Sequence, residues 1–233
     1  MALPITAVPL RADKIGNARP FLSLEGRQKL ALIASLSRYD AGEVLFHEGD
    51  RATCILNIVS GVGKSYSFLP DGREVIQAFL FPNDLIGPLD GDYFISTVKA
   101  ITPLVAYSLP LAALLQLLQS DPNLQWQFLT KACHELRLAQ QHAIALSQNS
   151  AKQRLLMLLN LLRLHNEPLG AEASQIHLPM SRADIADYTG LAVETVSRAL
   201  HQLQREGVIR LINPQCIEIM DQAIFTAALV SEG

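Results

Sequence analysis

Cysteine is scarce and scattered in this chain. Only Cys54, Cys133 and Cys216 occur in 233 residues, with no CxxC pair and no zinc-finger spacing. An odd number of distant thiols, with no signal-peptide pattern before them, excludes a disulfide framework and points to a reducing, cytoplasmic setting. Three scattered thiols cannot supply the four thiolates of an iron–sulfur cluster within one subunit. Long apolar runs are also missing. Residues 155–164 are leucine-rich but too short for a membrane span and flanked by charge, so no membrane partner is expected. Positive charge is not in excess. Nineteen Lys and Arg face 22 Asp and Glu, a net charge of -3, which excludes any argument for nucleic acid from bulk electrostatics. The six histidines show no paired metal spacing. No nucleophile–base arrangement and no phosphate-cradling loop is present, so the chain reads as a non-enzyme.

What is present begins with a core. Hydrophobic residues make up 49% of the chain, enough at this length for two modest domains. Leu22, Leu24, Leu30, Leu32, Ile33 and Leu36 have helical spacing over residues 22–36. Short β-like runs then alternate with turns: 44–46, 56–60, 64–68, 75–81, 94–100 and 105–109. The turn signals are Gly49-Asp50, Gly61, Pro70-Asp71-Gly72 and Pro82-Asn83-Asp84. Such a series predicts a small antiparallel barrel or roll. Its turns at residues 71–73 and 83–87 are expected to be exposed.

A helical region follows from about residue 111, with Pro122 suited to a first turn. Leu129, Ala132, Leu136, Ala139, Ala143 and Leu146 then alternate spacings of three and four. This is a heptad seam, and its alanines favour close helix–helix contact, so a parallel homodimer is expected. The same stripe can instead cover the chain's own β domain. Asn149-Ser150 reads as a hinge.

The richest stretch runs from Arg182 to His201 and reads as a helix-turn-helix. Ser181 and Asp184 suit a capping box, and Met180 can pack on Ile185 as a staple. Ala186 is small where two helices must cross. Gly190 supplies the turn. Leu191, Val196 and Leu200 face the first helix, leaving Glu194, Ser197 and Arg198 on the other side. Arginine suits guanine O6 and N7, and glutamate suits cytosine N4. Arg198 and Glu194, four residues apart, also suit an intrahelical ion pair. Residues 208–211 and 216–220 around Asn213-Pro214 complete a two-stranded wing.

The overall class is α+β: an N-terminal antiparallel β roll (cyclic-nucleotide-binding-like by its family resemblance), a long dimerisation helix and a C-terminal winged helix-turn-helix. The expected divisions are a loose arm (1–20), the roll (21–120), the dimer helix (121–149) and the DNA-binding domain (150–233).

This organisation resembles the superfamily of the cyclic-AMP receptor protein and the fumarate-nitrate reductase regulator (CRP/FNR) over nearly the whole chain. The likeness is carried by Ala41-Gly42-Glu43, His47-Glu48-Gly49-Asp50, Ser60-Gly61, Pro70-Asp71-Gly72, Pro82-Asn83-Asp84 and the run from Leu178 to Arg198. That last run is similar to the FNR and FixK branches. The resemblance implies that Glu194, Ser197 and Arg198 read a two-fold symmetric site with TTGA-like half-sites in double-stranded DNA. Val193 stands where the cyclic-AMP receptor branch has arginine. Arg182 and Thr195 complete the expected DNA-binding set. RNA polymerase is the further partner the family implies, and low-oxygen, nitrogen-oxide or nitrogen-fixation genes are the implied targets.

The departures are equally informative. Cyclic-nucleotide binders in the family resemble Phe-Gly-Glu followed by Arg-Ser. Here Ile86-Gly87-Pro88 puts proline at the glutamate, and Phe94 and Ile95 fill the Arg-Ser slots. An apolar pair cannot neutralise a phosphate. No cofactor is therefore expected, as in FixK-like regulators controlled through their own synthesis. The alternative is an effector-gated sensor using haem or another small ligand in the roll. Cys216, in or beside the wing, is the thiol whose oxidation would alter DNA contact; a buried small residue is the plainer reading.

Overall fold

The computed structural model describes residues 22–88, 92–148, 150–165 and 174–230. The expected arm (1–20), Asn149 of the hinge and the loop with Pro168 and Gly170 lie outside the described residues. Contacts divide the chain into two compact units, residues 1–137 and 138–233.

The first unit opens with α1 (Leu24–Ala31), capped by the Ser23 hydroxyl, which accepts from the Gly26 amide at 3.0 Å. Eight strands follow: β1 (Ser35–Tyr39), β2 (Val44–Phe46), β3 (Cys54–Ser60), β4 (Gly63–Phe68), β5 (Glu74–Leu80), β6 (Leu85–Ile86), β7 (Thr97–Ala100) and β8 (Leu104–Pro110). They form two four-stranded antiparallel sheets, ordered β1-β8-β3-β6 and β2-β7-β4-β5. Helices α2 (Leu111–Ser120) and α3 (Pro122–Gln148) follow.

Alternation along the strands builds two cores. Leu56 and Ile58 of β3, with Leu104 and Ala106 of β8, enter the interior of the roll. Ile55 and Leu109 belong instead to a second core with Leu22, Leu30, Leu114, Leu118, Leu124 and Phe128 of the helical elements. Inside the roll Phe94 stacks on Phe46, ring centroids 3.6 Å apart and planes within 11°. Ile95, its neighbour, is 80% exposed.

Three expectations change in this unit. The helix expected over 22–36 ends at Ala31, and Ser35–Tyr39 is a strand opposite β8, with Leu36 facing Tyr107. Leucines at helical spacing continued into a segment whose own alternation and long-range partner decide its form. The strand expected over 94–100 begins at Thr97. Phe94 is held instead against the distant Gly49-Asp50 turn, its amide donating to the Asp50 carbonyl at 2.9 Å and its carbonyl accepting from the Gly49 amide at 2.8 Å. Residues 83–87 are not a free loop. Asn83, Asp84 and Leu85 are half-buried and Ile86 is buried. The Asp84 carboxylate accepts from the Phe81 amide at 2.8 Å and lies 3.5 Å from Lys131 Nζ of α3. Lys131 is buried and also meets Glu135 at 2.6 Å, so its charge is paired from two sides.

The second unit takes the last turns of α3, then α4 (Ala151–His165), β9 (Gln175–His177), α5 (Arg182–Thr189), α6 (Val193–Arg205), β10 (Ile209–Asn213), β11 (Cys216–Ile219) and α7 (Gln222–Val230). Leu155, Leu156, Leu158, Leu159 and Leu162 of α4 are buried, which accounts for its leucine density. The wing has three strands rather than two, in the order β10-β11-β9. Strand β9 is three residues long, too short to carry a period. Helix α7 starts at Asp221, whose carboxylate accepts from the amides of Ala223 and Ile224 at 2.7 and 3.0 Å, and it buries Phe225 completely.

His142 of α3 stacks on Tyr188 of α5, ring centroids 4.2 Å apart. Burial holds the imidazole below its ordinary pKa, and burial pushes the Tyr188 phenol up to about 12. Because the folded chain favours neutral His142, the unfolded chain binds the proton first as pH falls. The stability this contact carries is whole above about pH 6.5 and falls as pH drops through the lowered folded-state value. His142→Phe keeps a stacked ring and removes the titration. Denaturant midpoints followed from about pH 7.5 to about pH 5 should fall less for this variant than for the wild type. Equal slopes would remove His142 from the acid sensitivity.

Candidate nucleic-acid interface

Helix α5 starts as its sequence predicts. The Ser181 hydroxyl accepts from the Asp184 amide at 3.0 Å, and the Asp184 carboxylate accepts from the Ser181 amide at 3.0 Å. This reciprocal box stabilises a helix start by about 0.5–2 kcal/mol. Helix α5 ends in a Schellman motif. Gly190 has φ 63°, its amide donates to Asp187 O at 3.2 Å, and the Leu191 amide reaches back to Ala186 O at 2.9 Å. Helix α6 ends the same way. The amides of Gly207 and Val208 donate to Gln204 O and Leu203 O at 3.1 and 3.0 Å, and Gly207 has φ 71°.

Helix α6 is two-faced. Val196, Ala199, Leu200 and Leu203 are buried, with Ile185 and Ala186 of α5 buried opposite them. Ala186 is therefore the small residue at the crossing. On the other side Val193, Glu194, Arg198, His201, Gln202 and Arg205 are exposed. Thr195 and Ser197 are half-buried at its margin. Arg198 Nη2 donates to Thr195 Oγ1 at 3.2 Å, and among the described residues no ion pair joins Arg198 to Glu194. The arginine is thus held by a neutral neighbour and the glutamate carboxylate is left outward.

Arg182, the first residue of α5, is engaged with the wing. It is half-buried, its Nη2 donates to the carbonyl of Pro214 in the wing turn at 3.1 Å, and its buried Nη1 has no hydrogen-bond partner among the described residues. Burial lowers its pKa from the ordinary value. The side chain ties the first residue of α5 to the wing. Further ties fix the wing to α6: Gln204 Oε1 accepts from the Leu211 amide at 3.0 Å. Arg210 pairs with Glu218 across β10 and β11. Cys216 is half-buried, its thiol 3.6 Å from Gln175 Oε1.

On α3, Leu129, Ala132, Leu136, Ala139 and Ala143 are exposed, with Leu129 and Leu136 at 52% and 60%. Leu146 departs from this stripe. It is half-buried, and a Cβ placed at Gly190 would come within 3.4 Å of its Cδ2, so it packs by the helix-turn-helix. Trp126, Cys133 and Ile144 are exposed beside the stripe and widen it. Trp126 was legible as the i-3 neighbour of Leu129; Ile144 breaks the strict heptad and gave no such signal.

Sequence reasoning also missed Arg154. Its Nη1 lies 3.3 Å from Thr189 O and 3.4 Å from Gly190 O. An arginine at the head of a leucine-rich helix, set apart from Arg163 near its end, was the available sign. Among the described residues no group of three or more His, Cys, Asp or Glu is arranged to hold a metal ion. None of the described helices is long and apolar enough to cross a membrane.

Known proteins share this organisation. The sequence profile of the cyclic nucleotide-binding domain matches residues 36–121, and that of the Crp-like helix-turn-helix domain matches residues 153–224. The transcriptional activatory protein AadR of Rhodopseudomonas palustris is 30% identical over 195 residues, 84% of this chain and 81% of its own. The nitrogen fixation regulation protein FixK of Bradyrhizobium diazoefficiens is 34% identical over 186 residues, 79% of this chain and 78% of its own. The solved structure of FixK2 from Bradyrhizobium japonicum superposes with a TM-score of 0.79 at 28% identity, covering 86% of this chain and all (100%) of that one. Likeness of this degree along most of both chains, carried by the same two domains, makes this chain a member of the CRP/FNR family of transcription regulators, on its FixK branch.

Proposed function

We propose that the protein is a homodimeric activator that reads a two-fold symmetric, TTGA-type DNA site through α6 and needs no small ligand to do so. The observation that carries this reading is the outward face of α6. Glu194 and Arg198 project from it at the spacing of one helical turn, on a helix whose opposite face is fully buried. Arg198 has donors for guanine O6 and N7, Glu194 accepts from cytosine N4, and Val193 offers an apolar surface to a thymine methyl. Thr195 and Ser197 flank them. Arg182 belongs to the wing rather than to this reading set.

Dimerisation is supported by the exposed stripe on α3. Apolar side chains at heptad spacing, open to solvent in one chain, fit a second copy. Independence from ligand is supported by the roll interior. Phe94, in the slot where nucleotide binders place arginine, is packed against Phe46, and Ile95 carries no charge. The exposed hairpin tip at residues 71–73 offers a surface to RNA polymerase. Control of low-oxygen, nitrogen-oxide or nitrogen-fixation genes follows the FixK relative, which is named for nitrogen fixation.

The deciding experiment is binding of purified, cofactor-free protein to a TTGA-N6-TCAA duplex at fixed salt, in air and without oxygen. Equal, specific binding in both is expected. Binding that appears only without oxygen, or only after haem or a cyclic nucleotide is added, overturns ligand independence and leaves DNA reading intact. Arg198→Ala should cost about 1–3 kcal/mol per half-site on the specific duplex and much less on scrambled DNA. An equal loss on both would make Arg198 a phosphate contact. Leu136→Glu should shift sedimentation from dimer to monomer, since each buried leucine contributes about 1.5–3 kcal/mol and symmetry places the charge twice. An unchanged dimer mass would remove the α3 stripe from the interface.

A further inference from the structure

We infer that Arg154 is a positioning residue for DNA reading: its guanidinium closes the C-terminal end of α5 and so sets the turn from which α6 departs. The inference rests on the reading that α6 faces DNA. The last carbonyls of a helix have no partner within it. In α5 the Schellman motif satisfies Ala186 O and Asp187 O through the amides of Leu191 and Gly190. Beyond Tyr188, the carbonyls of Thr189 and Gly190 both receive Nη1 of Arg154 from α4, at 3.3 and 3.4 Å. A cation at this end also opposes the negative pole of the helix dipole.

The geometry around this contact is confined. Gly190 is left-handed, and a Cβ there would sit 3.4 Å from both Arg154 Nη1 and Leu146 Cδ2. Two residues earlier Tyr188 is covered by His142. The turn is therefore held by α3 on one side and by α4 on the other. Only Leu191 and Ala192 separate Gly190 from the start of α6, and Ala192 offers no side-chain cap. The direction of α6 is fixed by this turn and by its packing on α5. A long arginine reaching from a different helix is what converts the turn into a fixed corner.

The test compares Arg154→Met, which keeps the stem and removes the donors, with Arg154→Lys, which restores a cationic donor. Three quantities are read: affinity for the TTGA-N6-TCAA duplex relative to a scrambled duplex, amide hydrogen exchange at Gly190 and Leu191, and the thermal midpoint. For Arg154→Met the specific-to-scrambled ratio should fall about tenfold, the scale of two long charge-assisted bonds. Exchange at Gly190 and Leu191 should quicken while the thermal midpoint moves little, because α4 keeps its buried leucines. Arg154→Lys should recover most of both effects. An unchanged ratio and unchanged exchange in Arg154→Met would overturn the inference, as would Arg154→Lys behaving no better than methionine. If the wild type itself shows no preference for the duplex, the reading of α6 fails instead, and the exchange measurement still decides whether Arg154 closes the turn.

Discussion

A helix of two turns cannot hold itself in place, and the DNA-facing part of this protein is built on one. Helix α5 is eight residues long, well below the length at which an isolated helix persists in water. Every orphan group at its ends therefore needs a partner from outside its own hydrogen-bond ladder. At the start, Ser181 and Asp184 cap one another. At the end, Gly190 takes the left-handed turn, the Leu191 amide reaches back, and Arg154 comes from another helix. On its flank Ile185 and Ala186 are sealed against α6. Once α5 is fixed at both ends, α6 has one direction available, and the outward set Val193, Glu194 and Arg198 is placed by that direction rather than by any contact of its own.

The first unit solves a different problem. Its roll matches a domain family named for cyclic-nucleotide binding, and it packs two aromatic rings face to face among its buried residues. Phe46 and Phe94 stack within this core, and Gly87 lies close beside it, where a Cβ would meet Ile55 Cδ1 at 3.0 Å and Cys54 O at 3.1 Å. Aromatic pairs of this kind stabilise beyond the area they bury, by about 0.5–1.5 kcal/mol. The outer face of the β1-β8-β3-β6 sheet is sealed by leucines of α2 and α3, and the buried Lys131 joins α3 to the Asp84 turn. Pairing with Asp84 and Glu135 makes that buried charge tolerable, and removing either partner would leave it exposed to the cost of desolvation.

How much of this was legible depended on the length over which a pattern repeats. The helix-turn-helix was readable almost residue by residue, because Ser181, Asp184, Ala186, Gly190, Val196 and Leu200 each answer a local demand. The roll was readable as a series of strands, but β1 was hidden because the helical leucine spacing runs on to Leu36 while the helix itself stops at Ala31. Its partner β8 lies about seventy residues away, and no local pattern can announce a partner at that distance. Strands β6 and β9 are two and three residues long, too short for alternation to register. Site residues divided the same way. The outward placement of Glu194 and Arg198 follows from helical geometry. The contact of Arg182 with the Pro214 carbonyl does not, because the two are brought near only when the wing folds back. Arg154 was missed for the same reason.

The balance of charge bears on how such a protein distinguishes one DNA site from the rest. With a net charge of -3, the chain as a whole gains nothing from the phosphate field. Glu194 at the start of α6 suits the helix dipole, yet it repels phosphate wherever no cytosine amine is present to meet it. If α6 reads DNA as proposed, a single face built this way binds weakly, and it binds wrong sequences worse than a purely basic face would. Under the proposed function, joining two such faces through α3 turns the second binding event into an intramolecular one and multiplies their affinities without adding a basic surface. Discrimination then comes from a repulsive element as much as from an attractive one. A rigid corner beneath α6 is what that arrangement requires, because a carboxylate free to swing away from the wrong base would penalise nothing.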